Sequence, residues 1–375
     1  MRVLFIDSLV PSNTDSGRLD SLLYLEAFVN YGAQVDVLTL QPDEEHLDQS
    51  LARHVARLYD PVDASNWIRL HRTDYDLAVI CRVGNYFKLE DALTEFRSMG
   101  GKVIFLTIDL HHIRELRLTR VRDIVARLSP LELGLLALQE LEAIMRCDAS
   151  VVVSQFEQHY LQALNLQANI WYIPLGRTTQ DKILGPTADS PELLFVGSPD
   201  HAPNTLALAY FIAEPWQQIL CEFPAAQLHV AGMRETDFIH LSRHHVQFHG
   251  WVDSLVPLYA RSWAAIAPLQ VGAGLKGKVV DSLAHGVPVL GSRIALEGMP
   301  VGADVGVLVR CDDTEAYLAA IRDLTNIDIR NDVRLSALAY ANANFSTSHF
   351  HEAVAKLLRD VVGSSDPLSL RSLQG

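Results

Sequence analysis

Residues 272–279 read GAGLKGKV and combine a glycine turn with two lysines. Glycines let backbone N–H groups approach an anion, and a nearby lysine can neutralise a phosphate. The stretch differs from a nucleotide-binding P-loop because Val279 stands where a Ser or Thr hydroxyl would hold Mg²⁺. No apolar strand ending in Asp follows as a second metal-holding motif. The pattern therefore favours phosphate binding without P-loop chemistry, and an ordinary turn with surface lysines is the alternative.

Polar residues also follow the first apolar run, VLFI. Asp15, Ser16 and Gly17 stand where a helical pattern begins. The first N–H groups of a helix have no partner within it, so the N–H of Gly17 could donate to a diphosphate. The alternative is that Asp15 or Ser16 simply caps the helix.

A second polar cluster in the first half of the chain follows the apolar run KVIFL. It contains Asp109 and His111, within the stretch DLHHIREL. A histidine at a strand end can hydrogen-bond a substrate and transfer a proton near neutral pH. We expect a catalytic role for this cluster, with a purely structural histidine as the alternative.

The helical pattern after this cluster is rich in arginine. Its only acidic residues are Glu115 and Asp123, and its basic residues are Arg114, Arg117, Arg120, Arg122 and Arg127. Such a stripe in an acidic protein predicts peripheral contact with anionic lipid head groups or with a lipid diphosphate. A solvated helix face has a similar composition and is the alternative.

Short apolar runs alternate with amphipathic segments along the whole chain. VLFI, VDVLTL, LAVI, KVIFL and SVVVS predict strands in the first half, and LLFVG, QLHVAG, VQFHG, AAIAP, PVL and VGVLV predict strands in the second. Continuous apolar strands separated by helices indicate parallel sheets covered on both faces. The periodicity lapses into Pro, Gly and Thr over residues 170–192, which predicts a domain boundary.

We therefore expect two α/β domains. The first spans residues 1–178 and the second residues 190–345, followed by a helix over residues 346–363 that returns to the first domain. Residues 364–375 have the composition of a frayed tail.

Three stretches of the second half resemble the C-terminal domain of glycosyltransferase family 4, whose members are retaining sugar-nucleotide transferases of GT-B fold. They are FVGSPDHAPNTLALAYF, FHGWVDSLVPLYA and AAIAPLQVGAGLKGKVVDSLAHGVPVLGSRIALEGM. The third is closest to a branch with a G-A-G-x-x-x-K-x-x-E donor loop, found among bacterial exopolysaccharide and cell-surface sugar transferases. The resemblance covers nearly the whole chain, more loosely in the first half. It implies a GT-B fold, with two Rossmann-like domains facing across a cleft.

The resemblance assigns residues to the nucleotide-sugar donor. Lys278 would bind the diphosphate and stabilise the leaving nucleotide, and Asp281 would hold the ribose hydroxyls in place of the family's usual Glu. Trp251 and Val252 match the region that packs against the base, with a core aromatic as the alternative for Trp251. The other residues assigned to the donor are Gly17, Gly197, Ser198, Gly272, Ala273, Gly274, Leu275 and Lys276. Ala273 replaces a Glu that contacts the sugar in many members.

The resemblance also bears on catalysis. Asp109 occupies the place of the family's catalytic-pocket histidine by its offset from the preceding strand, whereas His111 fits it by chemistry, and we favour His111. The chain is thus predicted to be a retaining hexosyltransferase that moves a sugar from a UDP- or GDP-sugar to a hydroxyl of a glycan or lipid-linked glycan. A sugar-nucleotide epimerase and a non-catalytic GT-B-like binding module are the alternatives.

Neither a metal nor another cofactor is expected. Asp74 and Asp76 have the D-x-D spacing of metal-dependent transferases, but they precede the strand LAVI and lie at the wrong edge of the sheet. Asp312 and Asp313 open a helical pattern and indicate capping.

Composition limits the cellular setting. A formal net charge of -14 argues against a nucleic-acid-binding surface. The four cysteines lie far apart without C-x-x-C pairing, which predicts neither a zinc site nor a disulfide framework. No apolar stretch reaches the ~20 residues needed to cross a bilayer, and the first residues lack a signal-peptide pattern. We expect a cytoplasmic protein, with the arginine stripe as its contact with the inner face of the membrane.

Overall fold

The computed structural model describes residues 1–8, 11, 16–40, 55, 57–120, 128–180, 185, 188–241, 243–300 and 306–363. The chain divides into two compact units. Unit 1 comprises Met1–Glu115, Arg127–Gly176 and Thr347–Gly375, and unit 2 comprises Leu116–Ala126 and Arg177–Ser346.

Unit 1 is built on a seven-stranded parallel sheet. Its strands are β1 (Arg2–Asp7), β2 (Gln34–Thr39), β3 (Arg57–Tyr59), β4 (Leu77–Cys81), β5 (Lys102–Leu106), β6 (Ala149–Val152) and β7 (Ile170–Tyr172). Their order is β3-β2-β1-β4-β5-β6-β7. The order reverses between β1 and β4, and ligands of open α/β sheets bind at such a point, beyond the carboxyl ends of the strands.

Helices connect these parallel strands. They are α1 (Ser16–Asn30), α2 (Ala64–His71), α3 (Val83–Ser98), α4 (His111–Leu118), α5 (Pro130–Arg146) and α6 (Gln155–Ala163). The local sequence determines where several of these helices begin. Ser129 and Glu132 form a capping box at the start of α5, with Pro130 in its first turn. Ser154 caps α6 by accepting from the N–H of Glu157. The strands read as apolar runs because both faces of the sheet are buried.

Unit 2 repeats the architecture with a six-stranded parallel sheet. Its strands are β8 (Glu192–Val196), β9 (Gln227–Ala231), β10 (Val246–Gly250), β11 (Ala264–Ala267), β12 (Val289–Gly291) and β13 (Leu308–Arg310), and their order is β10-β9-β8-β11-β12-β13. Its helices are α7 (Ala202–Ala213), α8 (Pro215–Glu222), α9 (Val256–Arg261), α10 (Gly277–Ala284), α11 (Thr314–Leu324) and α12 (Ile327–Phe345). The strand order reverses between β8 and β11, so the loop before α10 begins beside the carboxyl end of β8.

The last helix, α13 (Thr347–Val362), belongs to unit 1 and packs against α1. Phe350 lies edge-to-face against Tyr24, with ring centroids 4.9 Å apart. Phe350, Val354, Leu357 and Leu358 are buried in the unit 1 core, and each such side chain contributes roughly 1.5–3 kcal/mol of transfer free energy. Among the described residues, no helix has both the length and the apolar content needed to cross a membrane.

Candidate functional site

The glycine turn follows β11 at the carboxyl edge of the unit 2 sheet. Gly272 has φ 150° and Gly274 φ 65°, conformations that side chains disfavour. Lys276 is the N-cap residue of α10, but its buried side chain donates to the carbonyl of Gly274 at 2.7 Å instead of capping the helix. The start of α10 therefore presents N–H groups and positive dipole at the strand ends.

Lys278 lies in the first turn of α10 and is half-buried. Its ammonium donates to the Oδ1 of Asn204 and lies 4.8 Å from the centre of the Phe195 ring. Burial lowers the pKa of Lys278 to about 7. Because Lys276 is buried and Lys278 is engaged by α7, the alternative of an ordinary turn with surface lysines does not fit the structure.

Two glycines allow α7 and the strand ends to pack closely around this lysine. A Cβ at Gly197 would lie 2.9 Å from the Cγ of Asn204, and a Cβ at Gly232, whose φ is 86°, would lie 2.4 Å from the carbonyl oxygen of Gly197. The side chain of Asn204 also donates to the carbonyl of Ser198 at 3.1 Å. The structure thus brings the predicted Gly197, Ser198 and Lys278 together. Sequence reasoning did not single out Asn204 or Gly232, although Asn204 lies within a stretch that carries the family resemblance.

Asp281 has a cationic partner within unit 2. Its carboxylate accepts from the Nε of Arg177, which is only 5% exposed, while 26% of the Asp281 side chain is exposed. The backbone N–H of Arg177 donates to the carbonyl of Phe345 at 2.6 Å. Arg177 therefore fixes the orientation of a carboxylate that solvent still reaches.

Arg117 contacts the glycine turn directly. Its Nη1 donates to the carbonyl oxygen of Gly272 at 2.6 Å and to Glu297 at 2.7 Å, and its Nη2 donates to the second Glu297 oxygen at 2.9 Å. The side chains of Arg117 and Glu297 are each 18% exposed. The structure thus places Arg117, predicted as part of a basic surface, in a two-pronged ion pair that fixes the first residue of the turn.

Trp251 and Val252 follow β10, the edge strand of this sheet. Trp251 is 70% exposed and Val252 is half-buried. The alternative that Trp251 is a core aromatic is therefore wrong, and its ring face is available for stacking. Leu275 is buried beside the turn, and Ala273 is half-buried within it.

In unit 1, Asp109 and His111 lie together beyond β5. The Nε2 of His111 is 3.2 Å from Asp109, whose carboxylate accepts from Nη1 of Arg114 at 2.9 and 3.1 Å. The pKa of His111 is lowered chiefly by burial, against the opposing effect of Asp109 and with a further lowering from Arg114. The lowered pKa favours the neutral imidazole, which can accept a proton.

The neighbouring histidine has a different role. His112 is buried, and its Nδ1 lies 2.6 Å from the carboxylate of Glu140. Glu140 is fully buried and also accepts from the backbone N–H groups of His111 and His112, at 3.0 and 3.1 Å. Glu157 accepts from the backbone N–H of Leu110 at 2.9 Å. Two buried carboxylates thus occupy the start of α4, which rules out anion binding there and makes His112 the structural histidine of the pair.

Gly17 lies in the first turn of α1, and Asp15 lies outside the described residues. The helix that begins the arginine stripe ends at Leu118. Arg114 and Arg117 are ion-paired, whereas Arg122 and Arg127 lie outside the described residues.

The acidic pairs also have definite positions. Asp313 caps α11, as predicted, and Asp74 and Asp76 precede β4. Within the described ranges, no cluster of three or more His, Cys, Asp or Glu side chains could hold a metal ion.

Comparisons with known proteins agree with this architecture. Residues 190–326 match the family model described as Glycosyl transferases group 1. A sequence search of curated proteins gives no match. Sucrose-phosphate synthase from Thermosynechococcus elongatus is similar in structure, with a TM-score of 0.72 and 18% identity over 96% of this chain and 98% of that one.

Two other solved structures are similar over nearly the whole chain. HepE from Anabaena, in complex with UDP and glucose, has a TM-score of 0.66 and 13% identity over 96% of this chain and 100% of its own. An S. aureus TarM mutant, in complex with Fondaparinux, alpha-GlcNAc-glycerol and UDP, has a TM-score of 0.69 and 7% identity over 95% of this chain and 99% of its own. The chain therefore has the GT-B fold over both units, and residues 190–326 of unit 2 are similar to the glycosyl transferases group 1.

Proposed function

We propose that the chain transfers a sugar from a UDP- or GDP-sugar to a hydroxyl of a glycan or lipid-linked glycan, with retained configuration and without a divalent ion. The observation that carries the proposal is the position of Lys278. It lies where the strand order of unit 2 reverses, beside a glycine turn, a helix start and Gly197.

This arrangement suits a nucleoside diphosphate. The ammonium of Lys278 and the first N–H groups of α10 would bind the diphosphate, and Asp281 would accept from the ribose hydroxyls. In the reaction, negative charge develops on the departing diphosphate, and fixed donors and dipoles stabilise it. These groups would supply the charge stabilisation for which other transferases use a metal.

Unit 1 would supply the acceptor side. The lowered pKa of His111 favours the neutral imidazole, which is held by Asp109, so it could accept a hydrogen bond from the attacking hydroxyl. Retained configuration is supported by the family resemblance alone.

The ligands bound in the similar structures support UDP as the first nucleotide to test. HepE has been solved with UDP-glucose as well as with UDP, and the TarM mutant was solved with UDP. All four cysteines are free, which supports a reducing compartment such as the cytoplasm. The ion pairs of Arg114 and Arg117 leave membrane contact without support from these two residues.

The test is a calorimetric titration with UDP, GDP, ADP and ATP, each with and without Mg²⁺. We expect one nucleoside diphosphate to bind wild type equally well without metal and to bind Lys278→Ala at least about tenfold more weakly, since a hydrogen bond to a charged group is lost. Lys356→Ala is the matched control, because Lys356 lies on α13 and pairs only locally with Glu352. Binding that requires Mg²⁺ and prefers ATP would refute the proposal, and absence of binding would favour a non-catalytic module.

A further inference from the structure

A second group of polar residues lies at the carboxyl edge of the unit 1 sheet, where its strand order reverses. Asp7 is the last residue of β1, and Arg82 directly follows β4. Crevices at such positions are where open α/β sheets bind ligands. None of the motifs in the sequence includes either residue.

The backbone at this edge is in an unusual conformation at two neighbouring strand ends. Arg82 has φ 71°, and Ile108, which follows the adjacent strand β5, has φ 68°. Residues with a Cβ disfavour this region, and those that adopt it concentrate at functional sites. The N–H of Arg82 donates to the carbonyl of Leu106 at 3.0 Å, and its carbonyl accepts from the N–H of Asn85 at 3.1 Å, so both peptide groups are held in place.

The guanidinium of Arg82 is only partly used by the protein. Its Nε donates to Asp7 Oδ1 at 3.0 Å, and the hydroxyl of Ser21 donates to Asp7 Oδ2 at 3.1 Å. Within the part of the chain that the structure describes, the buried Nη2 of Arg82 has no hydrogen-bond partner. The side chain as a whole is 21% exposed, although Nη2 itself is buried. An unpaired buried donor is unfavourable until an oxygen atom accepts from it.

The charges of this edge indicate which oxygen that is. The positive charge of Arg82 is balanced by Asp7, and that of Arg114 by Asp109. A carboxylate oxygen of Glu115 also lies 3.4 Å from the Nε of Arg114. These described residues thus comprise two guanidinium groups and three carboxylates, so a carboxylate or phosphate would meet more negative than positive charge. A neutral hydroxyl or carbonyl oxygen satisfies Nη2 without adding charge.

We propose that Arg82 binds the acceptor of the transfer reaction, and that the part of the acceptor in contact with it is an uncharged sugar whose hydroxyl oxygen accepts from Nη2. The inference rests on the proposed transferase function. Asp7 acts through Arg82 and is a positioning residue. Arg82 and His111 follow the adjacent strands β4 and β5, so a sugar bound at Arg82 would lie at the same sheet edge as the group proposed to accept its proton.

The test measures sugar binding by saturation-transfer NMR on protein saturated with UDP. The probes are the methyl glycosides of glucose, galactose, mannose and N-acetylglucosamine, together with methyl glucuronide and glucose 6-phosphate. We expect at least one neutral glycoside to bind and both anionic probes to bind at least about tenfold more weakly. Arg82→Lys keeps the charge beside Asp7 but loses the planar donor fork, and should weaken the neutral glycoside about tenfold while UDP affinity stays unchanged.

Two variants separate a local effect from loss of structure. Arg97→Lys is the matched control, since Arg97 also donates from Nε to a carboxylate, that of Asp148, and it should bind sugar as wild type does. The double variant Asp7→Asn with Arg82→Gln removes both charges and should weaken sugar binding as Arg82→Lys does. The inference is overturned if UDP-loaded protein binds no neutral glycoside, prefers an anionic probe, or binds sugar equally well as Arg82→Lys. Absence of UDP binding in wild type would instead refute the proposed function.

Discussion

The depressed pKa of Lys278 predicts that nucleotide binding depends on pH. In the empty site burial lowers the pKa of Lys278 to about 7 from its ordinary value of 10.5. A bound diphosphate favours the charged ammonium and raises the pKa again. Above pH 7 the complex therefore holds more protons than the empty protein, so raising the pH weakens binding.

The magnitude follows from the fraction of empty protein that carries the ammonium. That fraction is about one half at pH 7 and about 1% at pH 9, so UDP affinity should fall roughly fiftyfold between these values if the bound ammonium stays charged. The phosphates of UDP contribute little to this change, because the second phosphate pKa lies near 6, below the range.

Calorimetry in two buffers of different ionisation enthalpy measures both the affinity and the protons taken up. At pH 8 the wild type should take up about one proton for each UDP bound. Lys278→Arg carries a permanent charge and should bind UDP with nearly constant affinity from pH 7 to 9. A wild-type affinity that is flat across this range, with no proton uptake, would show that Lys278 is already charged in the empty site and would refute the reasoning.

Three further predictions concern the unit 2 site. In urea unfolding, Gly232→Ala should lower the free energy of unfolding by about 2 kcal/mol or more, because its Cβ meets a carbonyl oxygen at 2.4 Å. Gly250→Ala is the control: Gly250 has a positive φ but open space around a Cβ, and the change should cost about 1 kcal/mol. Arg117→Ala and Glu297→Gln should show a coupling energy of about 1–2 kcal/mol in a double-mutant cycle of urea unfolding, and additive effects would contradict the ion pair. Asp281→Asn should weaken UDP about tenfold but leave inorganic pyrophosphate unaffected in calorimetry, and equal loss of both would exclude a ribose contact.

The sequence predicted most of the fold because buried parallel strands leave continuous apolar runs. The two strands it missed, β3 and β7, each have three residues, lie at the edges of the unit 1 sheet and are largely half-buried. β3 carries no apolar run, and the apolar run of β7 is short and lies where Pro, Gly and Thr predicted a domain boundary. Their existence depends on pairing with β2 and β6, which no local pattern records.

The candidate site, like the fold, could be predicted from the sequence only in part. The glycine turn could be predicted, because glycine spacing and nearby lysines are local in sequence. The partner of Lys278 could not, since Asn204 is 74 residues away and meets it only through the strand order of unit 2. The positive φ of Arg82 has no sequence signal either, because glycine is the residue that usually marks that conformation.

The measurement that tests the central claim most directly is product analysis by proton NMR. UDP- and GDP-sugars are incubated in EDTA with a panel of neutral glycan acceptors, and the free nucleotide and new anomeric signals are followed together. We expect release of one nucleoside diphosphate, a new glycosidic signal with the donor's anomeric configuration, and loss of both in Lys278→Ala. A changed donor sugar without any acceptor would identify an epimerase, and inverted products or a strict requirement for a divalent ion would contradict the proposed mechanism.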